Sequence, residues 1–138
     1  MTEKMIRRIA REVALQSLFQ IDFNEVEAEA AVEASLTEHD EENAPKAYDY
    51  ALLLVKGVLA NKEVIDARLQ EFAIDWTVER MSATDRNILR VAVYEMLFAD
   101  EPIAHGVAIN EAVEVAKEYG TDESPRFING VLGKLAKA

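Results

Sequence analysis

Apolar residues recur at three- and four-residue spacing along almost the whole chain, the period of a helix with one buried face. Ile6, Ile9, Ala10, Val13, Ala14 and Leu18 form one stripe. Arg7, Arg8, Arg11 and Glu12 fall off it, Phe19 lies beside it and Phe23 follows. This spacing predicts a helix over about residues 4–21. Val26, Ala30 and Ala34 mark a weaker helix over about 25–37. The stretch from His39 to Pro45 reads as a polar loop, with Pro45 suited to the first turn of the next helix. Tyr48, Leu52, Val55 and Leu59 predict a helix over about 46–61. Asn61 and Lys62 read as a joint, after which Val64, Ile65, Arg68, Leu69 and Phe72 continue as another helix.

Trp76 falls in a connection. Ser82-Ala-Thr-Asp85 reads as a helix start, because Ser82 can cap and an acid suits the positive end. Ile88, Leu89, Ala92, Val93, Met96 and Leu97 predict the most buried helix, over about 83–99, ended by Asp100-Glu-Pro102. Val107, Ala108, Ala112, Val115 and Ala116 predict a helix over about 104–119, with Gly120 as a left-handed stop. Ser124-Pro125 supplies a cap and a proline at the first helical position. Phe127, Ile128, Val131, Leu132 and Leu135 then line the last helix. The expectation is an all-α fold of about seven helices with no strand. Its 138 residues suit one domain, 1–138.

Charge changes this picture more than composition does. The formal total is −11, which argues against nucleic acid. Yet residues 1–11 and 126–138 each carry +3, and the stretch between them holds 8 basic and 25 acidic side chains, net −17. Both ends are basic around an acidic middle. There is no cysteine, so thiolate chemistry and Cys-based zinc sites are excluded. His39 and His105 stand far apart, so no His-rich metal site is expected. No apolar run reaches the roughly 18 residues of a membrane span, and no signal peptide is evident. A cytoplasmic protein is the expectation.

Catalytic motifs are missing: there is no Gly-rich phosphate loop, no HExxH and no Ser-His-Asp order. Glu95 and Glu111 flank apolar runs and could form an acid/base pair, but lone helical acids usually belong to solvated faces, and we read them so. The basic ends are better candidates. Arg7, Arg8 and Arg11 share one side of a helix. Arginine forks two donors at a phosphate and stacks on bases. Arg126 and Phe127 fall in the first turn of the last helix, where free N–H groups favour an anion and an aromatic can stack on a base. A solvated face for the arginines and core packing for Phe127 are the bland alternatives. The acidic middle suits a basic partner.

Several segments, in order, carry a family resemblance: Arg8-Ile-Ala-Arg-Glu-Val-Ala-Leu-Gln-Ser-Leu-Phe19, Trp76-Thr-Val-Glu-Arg80 and Asp85-Arg-Asn-Ile-Leu-Arg-Val-Ala-Val-Tyr-Glu95. Pro102, Val107-Ala-Ile-Asn-Glu-Ala112, Ala116-Lys-Glu-Tyr-Gly120 and Ser124-Pro-Arg-Phe-Ile-Asn-Gly-Val-Leu132 complete the set. The chain resembles the NusB family of bacterial transcription antitermination factors. The resemblance covers nearly the whole chain and is weakest over about 22–60. It implies two packed helical bundles and an RNA-binding regulator with no catalysis, cofactor or metal. The implied RNA is the single-stranded boxA element of ribosomal RNA leader transcripts. The implied partner is NusE, a ribosomal protein bound as a heterodimer. Together they join NusA, NusG and RNA polymerase, so that terminators in ribosomal RNA operons are read through. A homodimer of the free protein is also compatible with the resemblance.

Carried onto this sequence, the family's RNA contacts fall on Arg7, Arg8, Arg11, Glu79, Glu123, Ser124, Arg126 and Phe127. The NusE-facing residues fall on Phe19, Asp85 and Arg86. The chain departs from the pattern at Ile9, where the family often has a basic residue, and at Phe19, where it commonly has tyrosine. Asn110, Glu111 and Asn129 are read as packing and capping residues. Two other readings stay open: a helical adaptor that binds only protein, and a methyltransferase-linked module, which the missing cysteine nucleophile disfavours.

Overall fold

A computed structural model describes residues 2–39, 42, 44–73 and 77–138; Trp76 therefore lies outside the described residues. Those residues form six α-helices and no strand: α1 Glu3–Phe23, α2 Ala28–Leu36, α3 Tyr48–Phe72, α4 Ala83–Val93, α5 His105–Tyr119 and α6 Ser124–Lys137. Six appear where about seven were expected, because α3 runs unbroken through Asn61 and Lys62. The Asn61 amide donates back to the Gly57 carbonyl one turn earlier at 2.8 Å, so a residue that read as part of a joint stays inside the helix. The chain divides into two compact units, Met1–Lys56 and Gly57–Ala138.

In the first unit, Thr2 caps α1 by accepting a hydrogen bond from the Met5 amide at 3.2 Å. The predicted stripe is half-buried at Ile6 and buried from there on, at Ile9, Ala10, Val13, Ala14 and Leu18. It packs α1 against α2 and against a 3₁₀ turn at Ala44–Ala47 that contains Pro45. Ala31, Val32, Ala44 and Ala47 are buried too, so small residues let the backbones approach closely. Inside this packing the Ser17 hydroxyl donates to the Val13 carbonyl at 2.7 Å and lies 3.2 Å from the Ser35 hydroxyl. α2 begins three residues later than its pattern suggested, with Glu27 as an N-cap that makes no side-chain bond.

In the second unit, Ser82 caps α4 as the sequence predicts, accepting from the Asp85 amide at 3.1 Å. Every residue from Asn87 to Met96 is buried, so α4 is enclosed on all sides. Its one buried cation, Arg90, forks onto both carboxylate oxygens of Asp66 at 2.8 Å each and onto Asn87 Oδ1 at 3.0 Å. This joins α4 to α3. Breaking such a pair on one side costs about 3–5 kcal/mol. Past Val93 the helix widens into a π turn at Tyr94–Phe98. The Tyr94 ring lies against Gly57, where any Cβ would overlap it, which accounts for a glycine in the middle of a long helix. Burial pushes the Tyr94 hydroxyl above its ordinary pKa, helped by the nearby charges of Asp100 and Glu95.

α5 and α6 pack on each other and both pack on α4. Gly120 ends α5, but not in the left-handed region expected of it; its φ is −96°. A Cβ there would fall 2.5 Å from the Ser124 hydroxyl and 2.9 Å from the Ala116 carbonyl. Glycine is required by close approach, not by backbone handedness.

Candidate nucleic-acid interface

The basic N-terminal end is less open than its sequence suggests. Arg7 is half-buried, sits 3.6 Å from Glu3 one turn earlier, and stacks its guanidinium over the Tyr50 ring at 4.7 Å. Arg11 is only 6% exposed and lies 5.9 Å from the centre of the same ring. Arg8 is half-buried and engaged by other groups of the chain. The three arginines thus do not form one solvent-facing row. The i, i+4 pair Arg7 and Arg11 is organised around an aromatic from α3, with Arg11 inside the fold. Nothing in the local pattern pointed to Tyr50, which lies about 40 residues away.

The C-terminal candidates divide differently. Arg126 and Glu123 are exposed, and Phe127 is half-buried, presenting part of a ring in the first turn of α6. Arg126 has no side-chain partner among the described residues. Ser124 is 2% exposed, and its hydroxyl accepts from the Thr121 amide at 2.9 Å. It is not the N-cap; Glu123 holds that position, without a side-chain bond. The Ser124 amide donates to the Thr121 carbonyl at 3.1 Å and the Phe127 amide to the Glu123 carbonyl at 3.1 Å. The expected free N–H groups are therefore mostly taken up by the turn, and what remains for an anion is chiefly the Arg126 side chain. Glu79 is exposed in a 3₁₀ turn at Val78–Arg80, whose start is capped by Thr77.

Of the partner-facing candidates, Phe19 is 44% exposed and packs its ring against Phe23, 63% exposed, at 5.0 Å. The sequence marked Phe23 only as following the stripe; the structure makes it half of an exposed aromatic pair. Asp85 has one carboxylate oxygen, Oδ1, buried with no hydrogen-bond partner among the described residues. Arg86 is half-buried, with Nη1 3.4 Å from the Met81 carbonyl.

Glu95 corrects the sequence reading, and of the two readings of Glu111 the structure favours packing over a solvated face. Both are buried, at 1% and 4% exposure, not on solvated faces, and neither residue is without a partner. Glu95 is carried into the interior by the π turn, while Glu111 shares the inner face of α5 with Ala108, Ala112 and Val115. Asn110 and Asn129, read as packing residues, are both exposed. Among the described residues no group of three or more acidic, His or Cys side chains could hold a metal, and no helix is long and apolar enough to cross a membrane.

Comparison with known proteins fits this arrangement. The NusB family model matches residues 8–137. The transcription antitermination protein NusB of Bdellovibrio bacteriovorus is 49% identical over 132 residues, covering 96% of each chain. A solved T. maritima NusB superposes with a TM-score of 0.81 at 37% identity, over 95% of this chain and 90% of that one. A crystal structure of antitermination factors NusB and NusE in complex with double-stranded RNA superposes with a TM-score of 0.80 at 27% identity, covering 96% and 97% of the two chains. With its helices, its motifs and its length all matched, the chain belongs to the NusB family, whose relatives at this identity are transcription antitermination proteins.

Proposed function

We propose that this protein is an RNA-binding antitermination factor that recognises boxA-type RNA of ribosomal RNA leader transcripts together with NusE. The observation that carries this reading is Arg126 beside the partly exposed Phe127 in the first turn of α6, a cation with no partner among the described residues next to a stacking face on a chain of net charge −11. Such a pair can hold a phosphate and stack a base. Arg7, with Arg8 beside it, is the second contact, held in place by Tyr50 and Glu3. Glu79 and Glu123 are exposed acceptors suited to base edges. Arg11 and Ser124 each serve the contact of their own unit from inside: Arg11 packs by Tyr50, and Ser124 holds the turn that presents Arg126.

The Phe19–Phe23 pair and Asp85 are proposed to face NusE. A buried carboxylate oxygen with no partner is costly and is relieved by an incoming donor. A relative solved with NusE and RNA supports this reading. NusA, NusG and RNA polymerase complete the proposed assembly.

The test is a mobility shift with a boxA oligonucleotide and a scrambled one of equal length, with and without NusE, over a salt series. Preferential boxA binding strengthened by NusE is expected. Equal binding to the scrambled RNA with NusE present overturns the reading. A duplex competitor checks the single-stranded preference, since the RNA in the solved relative is double-stranded. If changing Arg126 and Phe127 together to alanine leaves RNA binding unchanged, the protein-only adaptor becomes the better account.

A further inference from the structure

The outer face of α6 does not end at the proposed base contact. α6 turns Ile128, Val131, Leu132 and Leu135 inward. Arg126, Gly130, Gly133 and Lys137 follow one another at four, three and four residues on the opposite side, with Lys134 and Asn129 on its shoulders. Arg126, Asn129, Gly130, Lys134 and Lys137 are exposed. None of the three cations has an ion-pair partner among the described residues. Acids outnumber bases 26 to 15, yet no described acid pairs with this face, whereas Lys56, Arg68 and Lys117 are each paired with one.

Helix polarity explains only part of this face. Lys134 and Lys137 suit the negative C-terminal end of α6, but Arg126 sits at the positive end, where a cation is disfavoured. The two glycines weaken the helix, yet a Cβ on either would meet nothing within 4 Å. No neighbour within the chain requires them. Along about 16 Å of helix, the face is positive, nearly smooth and open to the solvent.

We infer that this face carries the sugar-phosphate backbone of the bound RNA beyond the bases met at Arg126 and Phe127. Lys134 and Lys137 hold phosphates as point charges, and the glycine strip lets the strand lie close to the helix. Charge complementarity selects a polyanion, and continuity with Arg126 selects the same RNA strand. The inference rests on the RNA-binding reading above and extends it along α6.

Lys134→Gln/Lys137→Gln tests it, measured against the wild type on boxA and scrambled RNA across a salt series. Removing two phosphate contacts from a single strand lowers the log–log salt slope by about 1.4 and weakens binding roughly tenfold near 0.1 M salt. The loss should fall equally on boxA and scrambled RNA, because phosphates carry no sequence information. Wild-type affinity and slope in the variant overturn the inference while leaving the RNA-binding reading intact. A loss confined to boxA would make the lysines base readers and also overturn it. If the wild type binds no RNA, both readings fall. Gly130→Ala/Gly133→Ala adds a check that unfolding cannot mimic. It should raise Tm by about 4 °C per site and still weaken RNA binding severalfold. A raised Tm with unchanged RNA affinity counts against close approach of the strand.

Discussion

The two basic ends carry the same charge by count and hold it in different ways. At the start of α1 the arginines are built into the fold: Arg7 is stacked on Tyr50 and near Glu3, and Arg11 is buried by the same ring. Along α6 the cations stand in solvent with no partner among the described residues. A guanidinium already stacked on an aromatic is positioned but partly neutralised, whereas an unpaired lysine offers its full charge without a fixed geometry. The first end is suited to placing a few contacts, the second to attracting a backbone. Formal charge could not separate the two.

The largest effect should come from Arg11. Replacing it with alanine removes a buried stem and its ring contact, at a cost of about 2–3 kcal/mol and roughly 8 °C in Tm. Arg126→Ala should leave Tm within about 1 °C and act on RNA affinity instead. Thermal unfolding of the two variants side by side decides the matter. If Arg11→Ala unfolds like the wild type, the contrast between the ends disappears.

Gly120→Ala comes next. The added methyl collides with the Ser124 hydroxyl and the Ala116 carbonyl, costing about 2 kcal/mol. It also disturbs the turn that sets Arg126 and Phe127, so stability and RNA binding should fall together. A loss of stability alone would show that the turn does not govern the contact.

How far this could be read from the sequence depends on distance along the chain. The starts of α4 and α5 and the end of α5 lie within a residue or so of their expected places, because cap, apolar period and stop are all local signals. The single helix α3 was read as two because Asn61 and Lys62 look like a joint until the bond from Asn61 to Gly57 is seen. Arg90, Glu95 and Arg11 were not legible as buried. Burial of a charge is decided by what meets it, and for Arg90 that group is Asp66, 24 residues away. The same holds for the site: the motifs named Arg7, Arg126 and Phe127, while Tyr50 and the exposed lysines of α6, without a partner among the described residues, emerged only once the helices were packed.

Tyr50→Leu should act more gently on stability than Arg11→Ala or Gly120→Ala. It keeps an apolar side chain but removes the ring under Arg7, at about 1 kcal/mol. If Tyr50 positions Arg7 for RNA, affinity drops about threefold with little change in salt slope, because the charge stays and only its placement is lost. A steeper slope with unchanged affinity at low salt would instead mean that the ring had been masking the charge.

The smallest effect, and the sharpest on this question, is that of Glu3→Gln. Glu3 and Arg7 form an exposed i, i+4 pair at 3.6 Å, worth a few tenths of a kcal/mol, so Tm should barely move. The substitution takes one negative charge from beside the proposed phosphate contact and leaves Tyr50 in place. If Arg7 is held mainly by the ring, RNA affinity rises about twofold at low salt, and the gain fades as salt screens the removed charge. A fall in affinity would show that the carboxylate, not the ring, orients the guanidinium. The two ends would then differ in how many of their cations have acidic partners, not in the presence of an aromatic platform.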